Sequence, residues 1–169
     1  MEIDLVDDEL NILSVSAEET ADLGKIIADA IADSRPDLPV VILLNGELGT
    51  GKTCLSQGLI DKLAGENASS PSYSLINQYQ GNEFDIYHID LYRLDNEYEL
   101  DEIGIYEILL EENLILIEWP ELIRPYLEDY IEISIEGQAD QQRQLRLKAN
   151  YESGQKLLER VKEYAESRN

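Results

Sequence analysis

The sequence predicts an α/β fold in one domain, residues 1–169: a mixed sheet with a parallel core and antiparallel strands, and helices on both faces. Three observations predict it. An apolar run, Val40 to Leu44, leads into a glycine loop and then an amphipathic segment, Cys54 to Ala64. A second apolar run, Leu114 to Ile117, ends in an acid, Glu118. Uninterrupted apolar runs of this length read as strands buried on both faces, the habit of parallel sheets. Elsewhere apolar and polar residues alternate with period two, as in Ile131, Ile133, Ile135 and then Leu145, Leu147. Paired around a turn, Gly137 to Gln142, those segments read as antiparallel strands over 129–136 and 144–149.

Taken in order, residues 1–11 are acidic and poorly patterned and predict a flexible arm. Asn11 to Val15 reads as a short strand. Ser16-Ala17-Glu18-Glu19 is a capping box, with Ser at the N-cap and Glu at the third helical position. A helix follows to about Asp33, because Leu23, Ile26, Ile27, Ala30 and Ile31 recur on one face. Ser34-Arg35-Pro36 ends it.

Gly46 to Thr53 reads G-x-x-x-x-G-K-T between a strand and a helix, the context a phosphate-binding P-loop requires. Glycines let the backbone curl and aim its N–H groups at an anion. The helix that starts near Lys52 adds the positive end of its dipole. Lys52 would reach the β- and γ-phosphates of a nucleotide, and the Thr53 hydroxyl would bind Mg²⁺. A P-loop NTPase-like fold follows from this arrangement.

After Gly65 a polar loop leads to Ser70-Pro71-Ser72. Ser72 is a candidate sensor of the γ-phosphate, although the same residues suit a plain turn. Leu75 to Gln80 and Glu83 to Leu91 read as a hairpin around Gly81-Asn82. On its second strand Phe84, Ile86, His88, Asp90 and Tyr92 share a face. Asp90, at the C-terminal end, stands where α/β sheets place ligands; it also suits a turn cap. His88, the only histidine, reads as a half-buried sheet residue rather than a metal ligand. Residues 95–112 predict helix broken at Gly104. Leu114 to Glu118 has the Walker-B form, placing a carboxylate to bind Mg²⁺ opposite Thr53. Trp119 either shields the site, meets a partner or packs inward. Pro120 to Leu127 predicts a short helix, and residues 153–168 a charged C-terminal helix with Leu157, Leu158 and Val161 inward.

Charge narrows the function classes. The chain carries 13 basic against 36 acidic residues, a net charge of −23. Such a surface repels phosphate backbones, so no direct tRNA or other nucleic-acid binding is expected of the protein alone. Apolar runs fall short of a membrane span, and the acidic N-terminus lacks the basic start of a signal peptide. Cys54 is the only cysteine, which suits the cytoplasm.

Together, Gly-Glu-Leu-Gly-Thr-Gly-Lys-Thr at 46–53, Ser-Pro-Ser-Tyr-Ser-Leu at 70–75, His-Ile-Asp-Leu-Tyr-Arg-Leu at 88–94 and Ile-Glu-Trp-Pro-Glu at 117–121 resemble the TsaE family, formerly called YjeE. Its members are small bacterial ATPases required for threonylcarbamoyladenosine modification of tRNA. The resemblance covers about residues 12 to 150. It implies binding of Mg-ATP, slow hydrolysis by the protein alone, and work with the TsaB–TsaD pair, whose TsaD transfers the threonylcarbamoyl group beside the anticodon. It implies that Glu47, Leu48, Gly49, Thr50, Gly51, Lys52, Thr53 and Cys54 line the nucleotide, with Ser72 and Trp119 beside it. Leu13, Ala17 and Thr20 would contact the adenine. Thr53 and Glu118 would hold Mg²⁺, and Asp90, Glu118 and Lys52 would serve hydrolysis. Two positions depart from the family pattern: Ser72 stands where Thr is usual, keeping the hydroxyl, and Cys54 where Thr is common.

Two other readings remain open to the sequence. A non-catalytic ATP-sensing module would share the same loop. A small-molecule P-loop kinase would need several arginines to clamp the transferred group, and between residues 40 and 130 only Lys52, Lys62, Arg93 and Arg124 are basic.

Overall fold

The computed structural model describes residues 1–6, 8–137 and 142–168. Among these lie strands β1 (Glu2–Val6), β2 (Glu9–Ser14), β3 (Val40–Asn45), β4 (Ile76–Gln80), β5 (Asp85–Asp90), β6 (Leu114–Glu118), β7 (Ile131–Gly137) and β8 (Arg143–Ala149). The helices are α1 (Ala17–Ser34), α2 (Lys52–Ala64), α3 (Tyr98–Glu102), α4 (Ile105–Leu109) and α5 (Glu152–Ser167). All the strands join one sheet in the order β1-β2-β8-β7-β3-β6-β5-β4. The middle four, β7, β3, β6 and β5, are parallel, and the outer pairings are antiparallel.

The apolar strands have no polar face because both faces are covered. Val40, Ile42 and Leu44 of β3 point into a core shared with α1, α2 and α5. Val41 and Leu43 point the other way, into a smaller core with Leu100 of α3 and Ile105 of α4. On β5 and β6, Ile86, Leu114 and Leu116 face the larger core. Period two therefore puts His88, Asp90 and Glu118 on the same face as α2.

Two elements locate α2. Its N-terminus grows directly out of the loop that follows β3, and its body packs on α1 through glycines. A Cβ on Gly58 would lie 1.9 Å from the Ala21 carbonyl oxygen, and one on Gly24 would lie 2.2 Å from that of Leu55. Only hydrogen fits at that crossing. At the start of α1, Ser16 Oγ accepts from the Glu19 N–H at 3.1 Å as its capping box requires, while Glu19 Oε2 accepts from the N–H of Val15, one residue before the cap, rather than from that of Ser16. Loss of such a cap costs about 1 kcal/mol.

Three expectations need correction. The flexible arm over residues 1–11 is instead two strands: β1 pairs with β2 from Glu2↔Leu13 to Val6↔Glu9, and β2 pairs with β8. Leu10 and Ile12 are fully buried there. Their partner strand lies at the far end of the chain, so local pattern carries no sign of the pairing. The helix over Pro120 to Leu127 is instead two 3₁₀ turns, Pro120–Leu122 and Arg124–Tyr126. Pro125 has no N–H to donate and crowds the turn before it, which stops a continuous α-helix. His88 is fully buried rather than half-buried. The turn expected over 137–142 lies largely outside the described residues. No helix among the described residues is long and apolar enough to cross a membrane.

Candidate functional site

The loop from Gly46 to Gly51 sits over the C-terminal ends of β3, β6 and β5, where parallel sheets gather ligands. Its backbone takes positive φ at Gly46, Gly49 and Gly51, and at two of them a Cβ would also clash. Gly46 has φ of 150°, and a Cβ there would come within 2.5 Å of the Ile135 carbonyl oxygen on β7. Gly51 has φ of 114°, and a Cβ there would press on the Arg143 side chain at 2.9 Å. Thr50 closes the loop on itself, its Oγ1 donating to the Glu47 carbonyl at 2.9 Å. Glu47, Leu48 and Gly49 form the exposed tip.

Lys52 opens α2 yet is almost wholly buried. Its Nζ donates to the carbonyls of Gly46 at 2.6 Å and Glu47 at 2.9 Å. It also lies 4.3 Å from the centre of the Trp119 ring, within cation–π range. Burial pulls the Lys52 pKa below the usual lysine value, and the carboxylates of Glu118, Asp90, Glu121 and Glu47 oppose that shift. Trp119 reaches the ammonium because its backbone takes the left-handed conformation, φ 56° and ψ 58°, immediately after β6. That conformation is uncommon for a bulky residue and turns the chain over the loop. Tyr92 packs against Trp119 at 4.9 Å between ring centroids.

The carboxylates come from neighbouring strands. Register pairs Asp90 of β5 with Glu118 of β6, and β6 in turn pairs Glu118 with Leu44 of β3. Both acids are buried. Asp90 is tied by Ser72, whose Oγ donates to Oδ2 at 3.0 Å, and by the Tyr92 N–H on Oδ1 at 3.0 Å. The Asp90 N–H donates to the Leu75 carbonyl, so the segment 70–75 is fastened to the strand end. Asp90 thus caps the turn that follows, one of the two readings open to the sequence, and stands beside Glu118. Glu118 Oε1 lies 2.8 Å from His88 Nε2.

Thr53, in the first turn of α2, is half-buried, as is Cys54. Leu13 is half-buried at the end of β2 and Ala17 is exposed at the start of α1. Thr20 is fully buried: its Oγ1 meets Ser14 Oγ at 2.9 Å and donates to the Ser16 carbonyl, while its methyl faces Gly51. The hydroxyl therefore serves the helix start, and only the methyl is turned to the loop. A cavity of about 650 Å³ opens on the β7 side of the loop, lined by Gly46, Thr50, Trp119, Glu121, Ile135 and Glu136.

The oxygen donors suit Mg²⁺. Thr53 offers a hydroxyl and Glu118 a carboxylate, and Mg²⁺ is commonly held by one or two protein oxygens plus phosphates and waters. A dedicated cage is not needed for such a site, and no cluster of three or more His, Cys, Asp or Glu forms one among the described residues.

One residue at the loop escapes the sequence entirely. Arg143, at the start of β8, donates from Nε to the Thr50 carbonyl at 2.9 Å and lays its stem against Gly51. Nothing in the alternating pattern around it marks it out. The cations that the sequence does place between 40 and 130 are otherwise engaged: Arg124 with Asn45 and Glu132, Arg93 over Tyr73, Lys62 with Asp29.

Comparison with known proteins gives the family and the fold. A family model described as "Threonylcarbamoyl adenosine biosynthesis protein TsaE" matches residues 14–145. A tRNA threonylcarbamoyladenosine biosynthesis protein TsaE of Rickettsia conorii is 42% identical over 125 residues, covering 72% of this chain and 68% of the relative. That of Bacillus subtilis is 30% identical over 139 residues, covering 81% and 84%. Among solved structures, Bacillus subtilis YdiB superposes with a TM-score of 0.74 at 25% identity, covering 100% of this chain and 99% of the other.

Proposed function

The chain belongs to the TsaE family of tRNA threonylcarbamoyladenosine biosynthesis, and on that premise we propose that it is the Mg²⁺-dependent ATPase of that system. One observation carries the reading: the glycine loop and Lys52 stand over two buried carboxylates, Asp90 and Glu118, set side by side at adjacent strand ends. A phosphate-binding loop alone would suit any nucleotide binder. Paired carboxylates beside it supply what hydrolysis needs, a metal ligand and a group to orient water.

In this reading the N–H groups of Gly49 to Thr53 bind the phosphates and Lys52 exchanges its two carbonyl partners for phosphate oxygens. Thr53 and Glu118 hold Mg²⁺, which when bound offsets the charge that gathers on the transferred phosphoryl group. Asp90 positions the attacking water, and Ser72, already bonded to Asp90, senses the γ-phosphate end. Trp119 covers the ammonium and keeps bulk water away. Leu13, Ala17 and the Thr20 methyl flank the adenine, with Leu48 and Cys54 at the margins. The partners are the TsaB and TsaD proteins, the location is the cytoplasm, and tRNA is reached through the partners.

The test is ATP turnover by the purified protein, alone and with the TsaB–TsaD pair from the same organism. Slow turnover alone that rises strongly with the pair is expected. Bound ATP with no turnover in either case would leave a nucleotide-sensing module, and fast turnover indifferent to the pair would point to another substrate.

A further inference from the structure

We propose that His88 is a positioning residue: it holds one oxygen of Glu118 so that the carboxylate is presented to the bound cation rather than drawn onto Lys52. The inference rests on the Mg-ATP reading above and assigns a role to a residue which that reading leaves idle. His88 lies one step back from Asp90 on the same face of β5, opposite Leu116, and reaches Glu118 diagonally across the strand pair. Its Nε2 is 2.8 Å from Oε1, with both side chains buried.

The chemistry of the pair follows from what each atom can do. A carboxylate accepts, so Nε2 carries the hydrogen and donates it. Nδ1 is buried with no partner among the described residues. Left as a bare lone pair it strands no N–H, and a stranded N–H is the more costly of the two. One donor hydrogen thus satisfies both groups and fixes the tautomer. Full burial keeps the ring from substrate and solvent, so His88 acts only through Glu118.

The need for such a device is visible next to it. Glu118 is the charge that acts most strongly on Lys52. A free glutamate, with three rotatable bonds, would swing to the ammonium and form an ion pair. The two make none: Lys52 donates to the carbonyls of Gly46 and Glu47, and Glu118 keeps to His88. Glu118 Oε1 is spoken for, and Oε2 remains for the ion. Lys52 likewise remains available for phosphate. Partners of this kind orient metal ligands elsewhere, and their loss costs about 10–100-fold in metal affinity.

Two measurements test the role. The chain has one histidine, so imidazole ¹⁵N spectra of the wild-type protein report His88 alone. Hydrogen on Nε2, a bare Nδ1, and a shift of the Nε2 signal when Mg-ADP is added are expected; hydrogen on Nδ1 would overturn the proposal without any variant. Second, nucleotide affinity is titrated against Mg²⁺ for wild type, His88→Leu and His88→Gln. His88→Leu should need about 10–100-fold more Mg²⁺ for the same tightening. His88→Gln, whose amide nitrogen reaches the position of Nε2, should recover most of the loss. A Leu variant with wild-type Mg²⁺ dependence, or a Gln variant no better than Leu, would sink the role of His88 alone. Wild-type affinity that ignores Mg²⁺ would instead sink the Mg-ATP reading beneath it.

Discussion

Lys52 is held by two carbonyls and a tryptophan face with carboxylates nearby, and on the proposed reading it is the residue from which a phosphate would gain most. Replacing it with Ala should weaken ATP binding by about 1.5–3 kcal/mol, the scale of a charge-assisted hydrogen bond. Calorimetric titration measures this, and unchanged affinity would contradict the loop's assignment to phosphate. Glu118→Ala should lose hydrolysis, read in a single-turnover assay, and weaken the Mg²⁺ dependence; normal turnover would move the metal ligand elsewhere. Arg143→Met keeps the stem packed on Gly51 while deleting the Nε donor to Thr50. It should weaken ATP binding by about 1–2 kcal/mol, because one charge-assisted bond that shapes the loop is lost. Wild-type affinity in that variant would reduce Arg143 to packing.

At the scale of elements, the site depends on where α2 begins, and that depends on how closely α2 approaches α1. Gly58→Ala illustrates the balance. Alanine favours helix over glycine by about 1 kcal/mol. Its Cβ, however, would meet the Ala21 backbone at 1.9 Å, a contact that rigid backbone cannot relieve by a side-chain turn. Overpacking of this kind costs about 1–3 kcal/mol and often more against backbone. The clash should win, lowering the denaturant midpoint and weakening ATP binding together, since Lys52 and Thr53 ride on the displaced helix. A variant more stable than wild type would show that the two helices part freely. The β7–β8 ribbon acts on the same loop from the other side, through the Ile135 carbonyl beneath Gly46 and Arg143 beside Gly51.

At the scale of the whole molecule, the charge of −23 bears on direct contact with RNA. A protein of this balance should show no tRNA binding alone at physiological salt in a filter assay, because it has few cations with which to release counterions from the phosphate backbone. Retention of tRNA without partners would overturn the assignment of RNA contact to them. The same scale separates what is local in this protein from what is not. The glycine loop, the capping box at Ser16, the doubly buried β3 and β6 and the helical stripes were legible in the sequence, because each is set by neighbours within a turn or two along the chain. So was the period-two face carrying Ile86, His88 and Asp90, although Tyr92 lies past the strand end in the turn. Tertiary structure alone decided the rest: that Glu2–Val6 and Glu9–Ser14 form paired strands rather than an arm, because β2 docks on β8 at the other end of the chain; that Arg143 reaches Thr50; that Lys52 shelters under Trp119; and that His88 meets Glu118. Spacing along one strand says which residues share a face. Which of them touch across strands follows from sheet order and register, and those come from the packing of the entire core.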